Sequence, residues 1–161
     1  MEDPVDIALA QSWIAAVAAS VAAKTDYLTQ LDSAIGDADH GVNLHRGFTA
    51  VQAALAEAVP DGVGEVFTKA GATLVSKVGG ASGPLYGTAF RAIGKALPTG
   101  APSVSVGELG TGLRAGLAAI QKLGAAVPGD KTIVDAYGPA VDAFEKETTL
   151  AAAASAAAPA G

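Results

Sequence analysis

This sequence of 161 residues reads as one all-helical domain, and three features carry that reading. Alanine, the strongest helix former, supplies 38 of the residues. Aromatic residues make up only 5%, and Val, Ile and Thr are too few for a sheet protein, so the core is built from small side chains at close backbone approach. Apolar residues also recur at helical spacing between short breaks marked by Gly and Pro.

The first helix is expected to start at Asp3-Pro4, a capping carboxylate followed by proline at the first helical position. Its apolar stripe is Ile7, Trp13, Ile14, Val17 and Val21. A break near Lys24-Thr25 precedes a second helix through Tyr27, Leu28, Leu31 and Ile35, ending at Gly36. After the polar loop Gly36-Asp37-Ala38-Asp39-His40-Gly41, a third helix runs from about Val42 to Ala58 and stops at Pro60-Asp61-Gly62. A fourth spans about Gly64 to Val78. A second loop, Gly79 to Gly87, overlaps a fifth helix from about Pro84 to Ala96. Ser105 caps a sixth that runs through Leu123, and Pro128-Gly129-Asp130 forms a turn. A seventh starts near Lys131 and reaches about Thr148, kinked at Pro139. This divides the chain into a helical domain over residues 1–150 and an Ala-rich, low-complexity tail over 151–161, with seven helices and no strand.

Composition removes several function classes. The net charge of −6 gives no electrostatic case for binding nucleic acid or an anionic membrane. The absence of cysteine excludes disulfide scaffolds, zinc ribbons and thiol chemistry. The acidic start MEDPVD is not an export signal, and the uncharged stretch from Ile7 to Ala23 is too rich in Ala and polar residues for a membrane span, so the expected location is the cytoplasm.

Two loops carry the candidate chemistry. In the first, Asp32, Asp37 and Asp39 are spaced by five and two. On a continuous helix Asp37 would point about 140° away from Asp32. A break at Gly36 lets all three carboxylates turn towards one point, where hard oxygen donors suit magnesium. The competing reading is a capping cluster, with Asp37 or Asp39 capping the next helix and Asp32 solvated. An EF-hand is excluded, since Val42 and Phe48 stand where Gly and Glu are required. In the second loop, the glycines from Gly79 to Gly87 let backbone N–H groups approach an anion, and the helix that follows aims its positive end at the same place. The competing reading there is an ordinary turn between helices. No P-loop is present, because Gly94-Lys95 is followed by Ala96. Gly110-x-Gly112-x-x-Ala115 lacks the strand–helix context of a dinucleotide fold and reads as close helix packing. His40 lies inside the acidic loop, whereas His45, five residues on, does not share its helix face.

Taken together, L-D-x-x-I-G-D-x-D-H-G-x-N, G-G-A-S-G-P-L-Y-G-T and Pro128-Gly129-Asp130-Lys131-Thr132-Ile133-Val134-Asp135 resemble the nucleotide-binding L subunit, or domain, of dihydroxyacetone kinase, in order from about Trp13 to Ala140. The resemblance implies an antiparallel barrel of eight helices, about seven of them present here, that holds ADP or ATP and two magnesium ions at one end. It assigns the metal to Asp32, Asp37 and Asp39, which serve catalysis through magnesium without a protein nucleophile. It assigns nucleotide contacts to His40, Asn43, Gly80, Ala81, Ser82 and Gly83, and the adenine lining to Gly124 and Ile133. Family members continue into a closing segment, G-x-R-S-x-G-H-x-D-P-G-A in outline, whose counterpart is not found in the Ala-rich end of this sequence.

The implied partners are a K subunit holding dihydroxyacetone on a histidine and, in the phosphotransferase-linked branch, an M subunit that rephosphorylates bound ADP. The length of the chain favours that branch. The alternatives are the L domain of an ATP-dependent ketose kinase, and a non-catalytic nucleotide sensor docking on a transcription regulator.

Overall fold

The computed structural model describes residues 3–159; Met1 and Glu2, and Ala160 and Gly161 of the expected tail, lie outside the described residues. Among the described residues there are eight helices: α1 (Ile7–Ala23), α2 (Thr25–Ser33), α3 (His40–Glu57), α4 (Val63–Lys77), α5 (Ser82–Ala96), α6 (Val106–Gly124), α7 (Val134–Phe144) and α8 (Leu150–Ala157). From α2 onward each helix packs on the next, while α1 lies against α3 and α4. The result is an antiparallel helical barrel, the all-α class that the alanine content predicts.

Four local expectations change. The chain stays extended through Val5–Asp6 (β1) because it pairs antiparallel with Ser103–Val104 (β2), Val5 opposite Val104. Asp6 rather than Asp3 therefore caps α1, its carboxylate accepting from the Leu9 N–H at 2.8 Å. Helix α7 begins at Val134 rather than near Lys131, because Lys131 adopts a left-handed φ of 60° from which a right-handed helix cannot start. It ends at Phe144 with Pro139 inside it. The Ala-rich segment read as a low-complexity tail outside the helical domain forms α8, capped by Thr149, with Ala153 fully buried. Strong helix propensity becomes a stable helix there because α7 supplies a packing surface. Ser105 behaves as expected and closes a full capping box with Glu108.

Glycine sets the helix spacing. A Cβ on Gly71 would stand 2.5 Å from the Gly87 carbonyl oxygen, and one on Gly64 2.6 Å from that of Gly94. These two pairs, seven residues apart on each helix, zip α4 and α5 together antiparallel. Gly112 and Gly116 of α6 meet the carbonyls of Ile93 and Ala89 on α5 in the same way, each at 3.3 Å. The Gly110–Ala115 stretch thus lies in a packing seam of α6.

The interior is apolar. Buried Phe48, Phe67 and Phe90 form an aromatic cluster with Trp13, which is 40% exposed, with ring centroids 5.5 to 6.3 Å apart. Two cavities of about 470 and 280 Å³ share Trp13, Leu113 and Tyr137 in their linings. Among the described residues no single helix is long and apolar enough to cross a membrane.

The seam makes opposite glycine substitutions separable. Gly94→Ala drives a methyl group into the Gly64 carbonyl and Thr68, and it is expected to cost about 1–3 kcal/mol despite better helix propensity. Gly107→Ala, whose methyl group would meet only the Ser105 hydroxyl at 4.0 Å, should be neutral or stabilising by up to about 1 kcal/mol. Urea denaturation midpoints of the two variants check both signs.

Candidate metal and nucleotide site

Helix α2 closes its last turn with an ordinary helical bond, the backbone N–H of Gly36 donating to the Asp32 carbonyl at 2.6 Å. The chain then folds back, and Asp32 Oδ2 accepts from the N–H groups of Asp39 (3.0 Å) and His40 (3.3 Å). Asp32 thereby serves the start of α3 from across the loop. Neither Asp37 nor Asp39 caps that helix, since Asp39 stands at the N-cap without a side-chain bond. Gly36 has a specific reason to be glycine, because a Cβ there would collide with the Asp32 carboxylate. The left-handed residue of the turn is Ala38, at φ 59°.

This fold-back brings the three aspartates together. One carboxylate oxygen from each of Asp32, Asp37 and Asp39 lies within 4.8 Å of the others, with Asp37 exposed and the other two half-buried. Hydrogen bonding and charge repulsion from Asp39, with a further contribution from Asp32, hold Asp37 above the ordinary carboxylate value of 3.8. Three converging hard donors, one of them holding its proton too long for want of positive charge, are a fitting receptor for a divalent cation such as Mg2+. His40 begins α3 beside them, half-buried, while His45 points to solvent.

The glycine loop meets the same helix turn. A Cβ on Gly79 would lie 3.9 Å from both amide atoms of Asn43, one turn into α3. Asn43 is only 6% exposed, a buried polar group at the junction of the two loops. Gly80 takes a left-handed φ of 69° with open space around its Cα, and Ala81 follows. Ser82 opens α5, 8% exposed, and no side chain caps that helix. Its first N–H groups, from Ser82 and Gly83, therefore aim at the loop without an intrahelical partner. Gly83 itself cannot carry a side chain, because Val78's carbonyl occupies that position.

The two remaining expected residues lie on one apolar patch. A Cβ on Gly124, at the end of α6, would stand 3.9 Å from Leu85, in the first turn of α5. Ile133 packs with Leu85, Ala126 and Tyr137 against Ala89, Leu117, Ile120 and Val134. The loop between Gly124 and Ile133 is strained at Ala125 (φ 53°) and Lys131 (φ 60°) and is tied down by Asp135, which accepts from the N–H groups of Gly129 (2.6 Å) and Thr132 (3.0 Å). Those bonds hold the Asp135 carboxyl below its ordinary value.

The family model described as the DAK2 domain matches residues 34–161. The chain belongs to this family. It is 45% identical over 120 residues to the ADP-binding subunit DhaL of the PEP-dependent dihydroxyacetone kinase 1 of Listeria innocua, covering 74% of this chain and 60% of that protein. It is 37% identical over 137 residues to the corresponding subunit of Escherichia coli, covering 85% of this chain and 65% of the relative. The chain thus spans about three fifths of the length of these relatives. Among solved structures, the dihydroxyacetone kinase of C. freundii in complex with AMP-PNP and Mg2+ superposes with a TM-score of 0.74 at 29% identity, over 97% of this chain and 28% of that one.

In this DAK2 domain, then, the metal-type cluster, the glycine loop and Asn43 converge on the first turn of α3, while Gly124 and Ile133 flank Leu85 behind the loop. Three further residues that motif reasoning passed over belong to the same region: Arg46, which bonds Asn43; Leu85, the apolar floor; and Asp135, which shapes the α6–α7 loop. Asp135 and Leu85 stand inside the motifs read from the sequence, but their roles depend on loop conformation.

The repulsion at Asp37 has a measurable sign. Asp37→Asn is expected to raise the melting temperature of the metal-free protein at neutral pH and to abolish most of the rise that Mg2+ gives the wild type. Because the cation displaces a proton from a carboxyl of raised pKa, wild-type Mg2+ affinity should fall as pH drops through that value, at a higher pH than for an ordinary aspartate. Thermal melts with and without Mg2+ across pH test both statements. A variant that keeps the wild-type Mg2+ response rejects the cluster as a metal site.

Proposed function

We propose that this DAK2 domain is the nucleotide-binding, phosphoryl-donor part of a dihydroxyacetone kinase. The observation that carries this reading is the meeting of three carboxylates and a glycine-rich helix start on one turn of α3. On this reading Asp32, Asp37 and Asp39 hold two Mg2+ ions, which when bound neutralise phosphate charge and fix its geometry. The N–H groups of Gly80 to Gly83, the Ser82 hydroxyl, His40 and Asn43 hold the phosphates of ADP or ATP. Gly124 and Ile133, with Leu85 beneath them, receive the adenine. The unit responsible is the single helical body formed by α1 to α8.

The chemistry asks for positioning more than for a nucleophile. A hydroxyl oxygen of dihydroxyacetone, held by a partner K subunit, attacks the γ-phosphorus. The bond from that phosphorus to the β,γ-bridging oxygen breaks, ADP leaves with the bonding electrons, and the hydroxyl proton passes to a base on the partner's side. The domain's own residues orient the donor and keep its charge matched throughout. ADP is the resident nucleotide, in keeping with the bacterial relatives being ADP-binding subunits of PEP-dependent kinases, and on this reading an M subunit recharges it in the cytoplasm.

The test is to denature the purified protein and measure released nucleotide by chromatography and metal by mass spectrometry. One ADP with about two Mg2+ per chain is expected. Phosphorylation of dihydroxyacetone is then expected only when a K subunit and a phosphoryl source are added. A chain that releases no nucleotide and binds none from solution overturns the proposal.

A further inference from the structure

We infer that Arg46 is the positioning residue of the nucleotide site, holding the Asn43 amide in the one orientation that offers its N–H groups to a phosphate. The inference rests on the nucleotide reading above and deepens it. Arg46 lies one helical turn beyond Asn43 on α3, and its Nη2 donates to Asn43 Oδ1 at 2.8 Å. A guanidinium has donors only, so the Asn43 atom that it touches is the oxygen, and the amide nitrogen is left as the free end. Among the described residues that nitrogen donates no hydrogen bond, and it keeps contact with solvent where Asn43, 6% exposed, borders Gly79. With its oxygen held by Arg46, the amide presents its N–H groups on the side of Gly79, and the glycine loop is where an anionic acceptor would sit.

Arg46 is itself fixed from the other side. Its Nε donates to the Lys77 carbonyl at 3.3 Å, one of the orphan carbonyls at the end of α4. Gly47 allows this approach, because a side chain there would collide with Val78. The guanidinium therefore ties the helix that carries Asn43 to the last residue of α4, two positions before the glycine loop, and a rigid fork reaches both acceptors. A change at Arg46 alters nucleotide binding through Asn43 rather than by touching the nucleotide.

A double-mutant cycle on Arg46→Gln and Asn43→Ala, read by calorimetric titration of ADP with Mg2+, tests this. Arg46→Gln should raise the ADP Kd about tenfold in the wild-type background. In the Asn43→Ala background it should add less than about twofold, because the group that it positions is gone. Arg46→Lys, which keeps the charge but not the fork, should behave like Arg46→Gln and serves as the reporter if that variant fails to fold. Equal losses in both backgrounds, no loss at all, or full rescue by Arg46→Lys each overturn the positioning role. A wild-type chain that binds no ADP overturns the nucleotide reading, and the inference with it; a binding wild type with uncoupled variants overturns the inference alone.

Discussion

One carboxylate organises the end of the barrel where the candidate site lies. Asp32 sits on the last turn of α2, yet its Oδ2 accepts from the first N–H groups of α3, so a single side chain closes the loop between the two helices. That closure decides where Asp37 and Asp39 go, since both lie within the closed segment. It also explains why the loop tolerates unfavourable features. Three like charges face each other, Ala38 takes a left-handed conformation that costs an alanine about 1–2 kcal/mol, and Gly36 is confined to glycine by the carboxylate beside it. Strain and repulsion thus meet in this loop; among the described residues the other non-glycine positions with a left-handed φ, Ala125 and Lys131, lie in the α6–α7 loop.

The second loop is positioned by a different device. Alternating glycines bring the α4 and α5 backbones nearly into contact, which leaves the connection between them no freedom to drift. The start of α5 is held at a fixed height against the start of α3, and Gly83 is pressed onto the Val78 carbonyl. The small residues that lower the aromatic content to 5% thus do the positioning that larger side chains do elsewhere. Close packing of backbones, rather than interlocking of bulky groups, sets the geometry of the end that carries the glycine loop.

What could be read from the sequence and what could not divide along the range of the forces involved. The helices between strong stops were legible because alanine, Gly and Pro act locally, and the Ser105–Glu108 capping box is a purely local pattern. The convergence of Asp32, Asp37 and Asp39 followed from a helix break between them, although the break is made by Asp32 reaching over to α3 and not by any special conformation at Gly36. The start of α1 was misread because the two-residue ladder to Ser103–Val104 is a contact across almost a hundred positions of sequence, which no window around Asp3-Pro4 contains. The alanine run after Thr149 looked featureless for a similar reason: its order comes from a surface on α7. Arg46 was invisible because its significance lies in bonding the end of another helix, 31 residues away.

Helix α2 itself carries a consequence of its own. None of its residues is fully buried, and only Leu28 leans on the main core, so among the helices it has little tertiary anchoring of its own. Such an element belongs to the low end of a protein's spectrum of local opening free energies, where backbone amides exchange with solvent well before the rest of the fold lets go. Asp32 rides on that helix while its hydrogen-bond partners belong to α3. A cation gripped by all three aspartates would therefore act as a fastener, stitching a loosely held helix onto a rigid body. Part of its binding energy would go into suppressing a local unfolding step, and the measured affinity of the site would then depend on how readily α2 comes undone.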